Sequence, residues 1–362
     1  MRALTVAVLL GGAAVSGSAL AQGRPFYSPW GFDLTAIDKA VKPGDDFFQH
    51  ANGAYLARTT IPSDRVIASR RFEMTDRMEA DLKAILDDAA RGASVQPTDI
   101  KGKVGAFYAG AVDEALAERL GATPLKPELD AIRAADRAGL AKLMGSSVGG
   151  LYPSAFGLSI DTDLKNPQAY ALYLGQGGFG LPDRDYYLKD SFAPQREAYR
   201  AYAETLLGLA AWPDPAGASR RIIALETALA EASWTRVEQR DLTRQYHPVT
   251  PAELATFAPR FPWAAFLDGA GIADRTRLVV TTDTAMPKLA AVLAATQPDT
   301  IRDWMAFRTA DTAAPYLSKA FSEANFQFRG KTHCLDRIDA EVAERLFGID
   351  IRSLQAQFTT QV

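Results

Sequence analysis

Apolar and polar positions alternate with a helical period over most of this chain. Between residues 72 and 90, for example, Met74, Met78, Leu82 and Ile85 recur at intervals of three or four. An α-helix repeats every 3.6 residues, so this spacing predicts one helix with a single buried apolar face. The same reasoning predicts further helices over residues 103–120, 127–137, 139–145, 192–211, 219–244, 286–296 and 299–310.

Strand patterns are few. Residues 155–163 and 169–175 alternate with a period of two, and the turn signal Asn166-Pro167 lies between them. This arrangement predicts a β-hairpin, and residues 277–281 predict a lone short strand. The predicted fold class is therefore mainly α, with one small β-hairpin.

The N-terminus has the pattern of a secretory signal peptide. A positive start at Met1-Arg2 precedes an apolar run over residues 3–14, and Ala19-Leu20-Ala21 forms a cleavage site. The alternative is a membrane anchor, but a bilayer-spanning helix needs about 20 apolar residues and this run is shorter. We expect residues 1–21 to be removed, and the mature chain to be secreted or periplasmic without a membrane span.

Charge and cysteine content narrow the class of partner. The formal net charge is −3, whereas nucleic-acid binding proteins usually carry a basic excess for phosphate contacts, so no nucleic-acid partner is expected. The single cysteine excludes a disulfide framework within the chain and any cysteine-rich metal site.

No complete catalytic motif is present. The three histidines, His50, His247 and His333, have no second histidine within five residues, so the chain lacks the H-E-x-x-H motif of helical zinc peptidases. It also lacks a G-x-S-x-G elbow and a phosphate-binding Walker loop. Residues 175–180 are glycine-rich, but no helix pattern follows directly, which favours a structural turn. The residues themselves indicate no catalytic group and no metal ligand.

Two charged groups have alternative explanations. Asp45 or Asp46 is expected to cap the helix that begins beside them, which is the usual role of such pairs. Arg58, Arg65, Arg70 and Arg71 follow closely. A guanidinium group can hold a carboxylate with two hydrogen bonds, but these arginines also suit a solvated loop.

Several stretches together resemble one known family. They are residues 43–53 (P-G-D-D-F-F-Q-H-A-N-G), 61–62 (I-P) with Phe72, 176–188 (Q-G-G-F-G-L-P-D-R-D-Y-Y-L), 225–230 (L-E-T-A-L-A) with Arg240-Asp241 and Tyr246, and 326–331 (F-Q-F-R-G-K). Their order and spacing resemble the N-terminal half of the neprilysin and endothelin-converting-enzyme family of zinc metallopeptidases. The resemblance covers residues 30–332.

The resemblance implies a fold of two mainly helical lobes around a closed cavity. The catalytic lobe of the family resembles thermolysin, and the other lobe restricts access so that only short peptides enter. This chain resembles chiefly the access-restricting lobe. The family's zinc ligands lie in its later catalytic half, so the resemblance implies no zinc ligand and no cofactor here. Arg58 stands where an arginine of neprilysin holds the C-terminal carboxylate of the substrate, and is expected to bind peptide.

The resemblance also divides the chain. Residues 22–332 are expected to form the N-terminal helical domain, and residues 333–362 depart from the family pattern. A frameshift or a truncated gene model explains an abrupt departure, and a divergent natural terminus is the alternative.

Three functions remain open from the sequence. The chain is a lobe of an exported zinc endopeptidase that is inactive without its catalytic lobe, or a stand-alone peptide-binding or regulatory pseudo-peptidase. An unrelated helical scaffold is the third.

Overall fold

The computed structural model describes residues 31–61, 67–92 and 99–332. The predicted signal peptide and the segment 333–362 lie outside these residues. The chain divides into two units, which are treated separately below. Unit 1 contains the described residues 31–61 and 67–72, and unit 2 contains the described residues from 73 onward.

Unit 1 is built around helix α1 (Phe47–Arg58). Asp46 caps this helix, because its side chain accepts a hydrogen bond from the Gln49 N–H at 2.9 Å. The predicted capping role of this aspartate pair is thus confirmed for Asp46. A short 3-10 turn (Leu34–Ala36) precedes α1 and is capped in the same way by Asp33.

The remaining helices begin at the end of unit 1 and continue through unit 2. They are α2 (Arg70–Arg91), α3 (Ile100–Ala111), α4 (Glu114–Leu120), α5 (Lys126–Ala134), α6 (Arg137–Gly145), α7 (Asp185–Leu188), α8 (Ala193–Leu209), α9 (Pro215–Ala232), α10 (Pro251–Phe257), α11 (Trp263–Gly269), α12 (Met286–Ala295), α13 (Pro298–Ala313) and α14 (Lys319–Thr332). The predicted fold class, mainly α, is confirmed. Within the described ranges, no helix has both the length and the apolarity needed to cross a membrane.

Two predicted helices were wrong in extent. Residues 103–120 form two helices, because Asp113 accepts the Leu116 N–H at 2.8 Å and starts α4 afresh. The helix predicted over residues 219–244 ends at Ala232. Beyond that point the Trp234 N–H donates to the Gln176 side chain at 2.7 Å, so a contact distant in sequence replaces the helical bond.

The apolar face predicted for α2 exists, but its burial was predicted wrongly. Met74, Met78, Leu82 and Ile85 are 71%, 57%, 49% and 61% exposed, and Ala89 is the residue of this helix that is buried. The helical period therefore located the stripe correctly, while the described part of the chain leaves it uncovered.

The predicted hairpin is confirmed and belongs to a four-stranded sheet of order β1-β2-β4-β3. Strands β1 (Phe156–Asp163) and β2 (Asn166–Gln176) are antiparallel. The strand predicted near residue 279 is β4 (Leu278–Val280), but it is not alone. It pairs in parallel with β2 and antiparallel with β3 (His247–Val249), a three-residue strand too short for a period to reveal.

A carboxylate fastens the tip of the hairpin to this sheet. Asp163, at the end of β1, accepts hydrogen bonds from the Tyr246 hydroxyl at 2.7 Å and from Arg277 at 2.8 Å. The hydrogen bonds from Tyr246, the Lys165 N–H and Arg277 hold the pKa of Asp163 far below its usual value. The ionised carboxylate thus joins β1 to the segments that flank β3 and β4.

Candidate functional site

The arginine that the family resemblance marks as a peptide-binding residue lies at the end of α1. Its Nη2 atom donates to Asp33 Oδ2 at 2.6 Å and to the Thr35 hydroxyl at 3.1 Å. Its Nη1 atom donates to the carbonyl oxygens of Thr35 and Ala54, at 2.8 and 3.2 Å. Arg58 is therefore held by its own unit, while 45% of its side chain remains exposed.

A second arginine shares the same carboxylate. Arg70 pairs with Asp33 Oδ2, and its guanidinium lies 3.9 Å from the centre of the Tyr55 ring. Two positive charges thus meet one negative charge. Hydrogen bonds from Thr35, with the charges of Arg70 and Arg58, lower the pKa of Asp33, so this carboxylate is ionised at neutral pH.

The structure brings Arg58 and Arg70 together through Asp33, a residue that the sequence analysis missed. The available signal was the Asp-x-Thr pattern at residues 33–35, which is typical of a capping turn. Arg65 lies outside the described residues. Within this cluster, Arg58 keeps 45% of its side chain exposed, so its guanidinium group remains accessible to an anion.

The histidines have local partners instead of a shared centre. His50 Nδ1 donates to the Val41 carbonyl oxygen at 2.7 Å. His247 Nε2 lies 3.0 Å from the Arg244 carbonyl oxygen and 3.3 Å from Asp283. His333 lies outside the described residues. Throughout residues 31–61, 67–92 and 99–332, no three His, Cys, Asp or Glu side chains are grouped to hold a metal ion, so no step through zinc is assigned to them.

The glycine-rich block is a structural turn that leads into the core. The Gly180 and Leu181 N–H groups both donate to the Tyr187 hydroxyl, at 3.0 and 2.9 Å. A Cβ atom at Gly180 would lie 1.6 Å from the Tyr199 hydroxyl oxygen, so only glycine fits. The Arg184 Nε donates to the Ala230 carbonyl oxygen at 3.0 Å, which fixes the block to the end of α9.

The core of unit 2 contains a carboxylate that has no contact with solvent. Glu226 on α9 is fully buried, and its Oε2 accepts hydrogen bonds from the Tyr187 hydroxyl at 2.6 Å and the Gly180 N–H at 3.3 Å. Its Oε1 accepts from the Tyr199 hydroxyl at 3.1 Å and Trp304 Nε1 at 2.9 Å. One carboxylate thus binds the glycine-rich block, α8 and α13 to α9.

Burial governs the electrostatics of this group. It raises the pKa of Glu226, while the positive charge of Arg308 and the hydrogen bonds from the surrounding hydroxyl and indole groups oppose the rise. Burial, together with the Glu226 charge, also raises the pKa of Tyr187 well above its usual value. Tyr187 therefore remains a hydrogen-bond donor. Because no solvent reaches these groups, their arrangement suits structural support.

A second buried carboxylate anchors the block at residues 326–331. Asp311 accepts hydrogen bonds from the Tyr202 hydroxyl at 2.8 Å and from Arg329 at 2.5 Å. The Phe328 ring stacks on Tyr202 with centroids 4.6 Å apart. Burial raises the pKa of Asp311, but Arg329 and Arg308 outweigh that effect and lower it. Three of the sequence blocks that carry the resemblance therefore meet in one core.

Comparison with known proteins agrees with this architecture. Residues 43–346 match the model of Peptidase family M13. Endothelin-converting enzyme-like 1 of Rattus norvegicus is 26% identical, over 95% of this chain and 48% of its own length. The inhibitor complex of zinc metalloprotease 1 from Mycobacterium tuberculosis is 31% identical with a TM-score of 0.72, over 90% of this chain and 51% of that one. The open state of the same protease gives a TM-score of 0.74 at 30% identity, over 88% of this chain and 51% of that one.

The mainly helical fold with its small sheet is that of the N-terminal region of zinc metallopeptidases. The chain belongs to peptidase family M13, the neprilysin family. It spans about half the length of the relatives it matches. The matched range reaches residue 346, so the boundary expected at 332 stays a prediction.

The paired tyrosines at residues 186 and 187 provide a test of the buried network. Replacing Tyr187→Phe removes the hydroxyl that binds the Leu181 N–H and Glu226, and leaves buried polar groups without a partner. We expect the free energy of unfolding to fall by about 1–3 kcal/mol.

The neighbouring ring is the matched control. Tyr186 is partly exposed and stacks on Phe192, so Tyr186→Phe is expected to change stability by less than about 0.5 kcal/mol. Urea denaturation of both variants gives the comparison, and equal losses would contradict the role assigned to the Tyr187 hydroxyl.

Proposed function

We propose that this chain is the access-restricting N-terminal lobe of an exported zinc metallopeptidase that acts on short peptides. The observation that carries the proposal is the match of residues 43–346 to Peptidase family M13. The names of the relatives, an endothelin-converting enzyme-like protein and a zinc metalloprotease, agree with this activity. Because the chain spans about half of those proteins, the activity belongs to the proposal.

The signal-peptide pattern supports export. We propose that residues 1–21 direct the chain out of the cytoplasm, that residues 22–332 form the helical domain, and that the mature protein is secreted or periplasmic. The pattern at Ala19-Leu20-Ala21 supports the cleavage site.

The exposed apolar stripe on α2 supports contact with another lobe. Its four large apolar side chains are all about half exposed or more. An exposed apolar stripe of this kind usually marks an interaction surface. We assign it to contact with a catalytic lobe, because the relatives contain about as much chain again as this one.

The cluster of Asp33, Arg58 and Arg70 supports peptide binding. Arg58 is partly exposed, and its guanidinium group already pairs with one carboxylate, that of Asp33. The carboxylate at the C-terminus of a peptide would replace Asp33 or Thr35 as an acceptor on Arg58, so binding competes with contacts already present. Arg58 is the substrate-binding residue of the proposal, and no residue of this chain is assigned a catalytic role.

The first test is an assay of hydrolysis by the purified chain. Incubated with zinc and a quenched fluorescent library of short peptides, it is expected to release no product above the rate in buffer, because no described side chains are grouped to hold zinc. A complete zinc metallopeptidase serves as the positive control. Cleavage that this chain carries out and a chelator abolishes would refute the proposed inactivity.

The second test separates the contribution of Arg58. A short peptide with a free C-terminal carboxylate is compared with its amide for the wild type and for Arg58→Gln. A charge-assisted hydrogen bond is worth about 1.5–3 kcal/mol, and the loss of the contacts that the peptide replaces offsets part of this gain, so we expect the wild type to prefer the free acid by at least about threefold. The Arg58→Gln variant is expected to lose that preference.

The matched control is Arg220→Gln, which removes an exposed arginine on α9 and should leave the preference intact. Fluorescence anisotropy of the labelled peptides measures both affinities. A preference for the free acid that survives in Arg58→Gln would exclude Arg58 as the carboxylate-binding residue.

A further inference from the structure

Within the described residues, the sheet of unit 2 ends at strand β1, which pairs on one side only. Strand β1 is buried at its two ends, Phe156 and Asp163, and mostly exposed between them. Ile160 on β1 and Tyr170 on β2 are 72% and 80% exposed. A strand of eight residues thus presents an open edge beside exposed apolar side chains.

The direction of the main-chain groups of β1 follows from one hydrogen bond and the register of the hairpin. The Gly177 N–H donates to the Ala155 carbonyl oxygen at 3.0 Å, so odd-numbered residues of β1 face β2. Along an antiparallel strand, the N–H and C=O of one residue point to the same side, and successive residues alternate. The main-chain groups that point to the open edge are therefore those of Phe156, Leu158, Ile160 and Thr162.

At the two ends of this edge, the main-chain N–H groups already have hydrogen-bond partners within the strand or next to it. The Phe156 N–H donates to the Ser154 hydroxyl at 3.1 Å, and the Thr162 N–H donates to the Asp161 carboxylate at 2.7 Å. For Leu158 and Ile160, the described part of the chain provides no hydrogen-bond partner at the open edge. Natural edge strands are commonly blocked by lysine or proline, and β1 contains neither.

We propose that β1 binds an extended peptide as an added antiparallel strand, paired with the main chain of Leu158 and Ile160. This inference rests on the proposed function, in which the chain engages peptides, and identifies a second contact besides Arg58. Main-chain hydrogen bonds supply affinity in strand addition, and alternate side chains supply selectivity.

The side chains along β1 define the peptide class. Residues opposite Leu158 and Ile160 lie on the face that carries these apolar side chains and Leu172, so apolar residues fit there. The intervening residues lie on the face of Ser159 and Asp161, where the exposed carboxylate favours lysine or arginine. The fitting peptide alternates apolar and basic residues.

A second copy of the chain fits this edge less well. If two β1 strands paired antiparallel around Ile160, the two Asp161 carboxylates would be diagonal neighbours about 7–8 Å apart. Their repulsion opposes this pairing, whereas a basic residue of a peptide is attracted to the same carboxylate.

The test uses the full chain and a labelled Val-Lys-Val-Lys-Val peptide with an amidated C-terminus. The amide excludes any contribution from a carboxylate bound by Arg58. Two variants are compared: Ile160→Thr removes the apolar side chain but keeps the N–H, and Ile160→Pro removes both. Proline is tolerated on edge strands, so the hairpin is expected to remain intact.

We expect Ile160→Thr to bind within about threefold of the wild type, and Ile160→Pro to bind at least about tenfold more weakly, because the ring occupies the place of the pairing N–H. The peptide provides an independent test with wild-type protein. Opposite residues of an antiparallel pair exchange both hydrogen bonds, so N-methylation of the valines should abolish binding and N-methylation of the lysines should not.

The outcomes separate this inference from the proposed function. Equal binding of the amidated peptide by all three proteins, or no binding while free-acid peptides still bind through Arg58, would overturn strand addition alone. Self-association of the chain that Ile160→Pro abolishes would assign the edge to a second copy and overturn the peptide assignment. If Ile160→Pro does not fold, the two N-methylated peptides decide.

Discussion

A carboxylate enclosed in a protein core must be surrounded by hydrogen-bond donors, and the fold of unit 2 depends on how Glu226 meets this requirement. Its two oxygens accept four hydrogen bonds, from Gly180, Tyr187, Tyr199 and Trp304. These donors come from the glycine-rich turn and from helices α7, α8 and α13, so one carboxylate links all four of these elements to α9. Three of the sequence blocks that mark the family, residues 176–188, 225–230 and 326–331, therefore contribute buried residues to one core.

The helices and the hairpin could be predicted because their signals are local. The period of 3.6 located most helices, and the alternation around Asn166-Pro167 located β1 and β2. The predictions of secondary structure were wrong where contacts between residues distant in sequence determine the end of a helix or the presence of a strand. Helix α9 ends at Ala232 because the Trp234 N–H donates to the side chain of Gln176, which is distant in sequence. The short strand β3 forms because it pairs with β4. The candidate site was predictable as far as Arg58. Its partner Asp33 is 25 residues away, and the shared carboxylate was visible only after folding.

The surface of the chain offers three features with different chemistry. In unit 1, the partly exposed guanidinium group of Arg58 suits a carboxylate. In unit 2, the stripe on α2 is apolar and suits another protein lobe, while the edge of β1 offers main-chain groups and suits an extended peptide. The other edge of β1 is hydrogen-bonded to β2, and Asp163 at the end of β1 is bonded to Tyr246 and Arg277. The open edge therefore already has the extended conformation that strand pairing requires. These features fit the proposed role of an access-restricting lobe, which contributes interaction surfaces while a separate lobe contributes the chemistry.

The blocks at residues 176–188 and 225–230 stabilise the fold through one shared interaction, the hydrogen bond from the Tyr187 hydroxyl to Glu226. A double-mutant cycle with Tyr187→Phe and Glu226→Leu, followed by urea denaturation, measures this coupling, because leucine has no acceptor for the Tyr187 hydroxyl. We expect a coupling free energy of about 1–3 kcal/mol between the two positions, because each substitution removes the same buried hydrogen bond. If the losses of unfolding free energy in the two single variants add up to the loss in the double variant within about 0.5 kcal/mol, the two blocks act independently. That result would contradict the shared interaction.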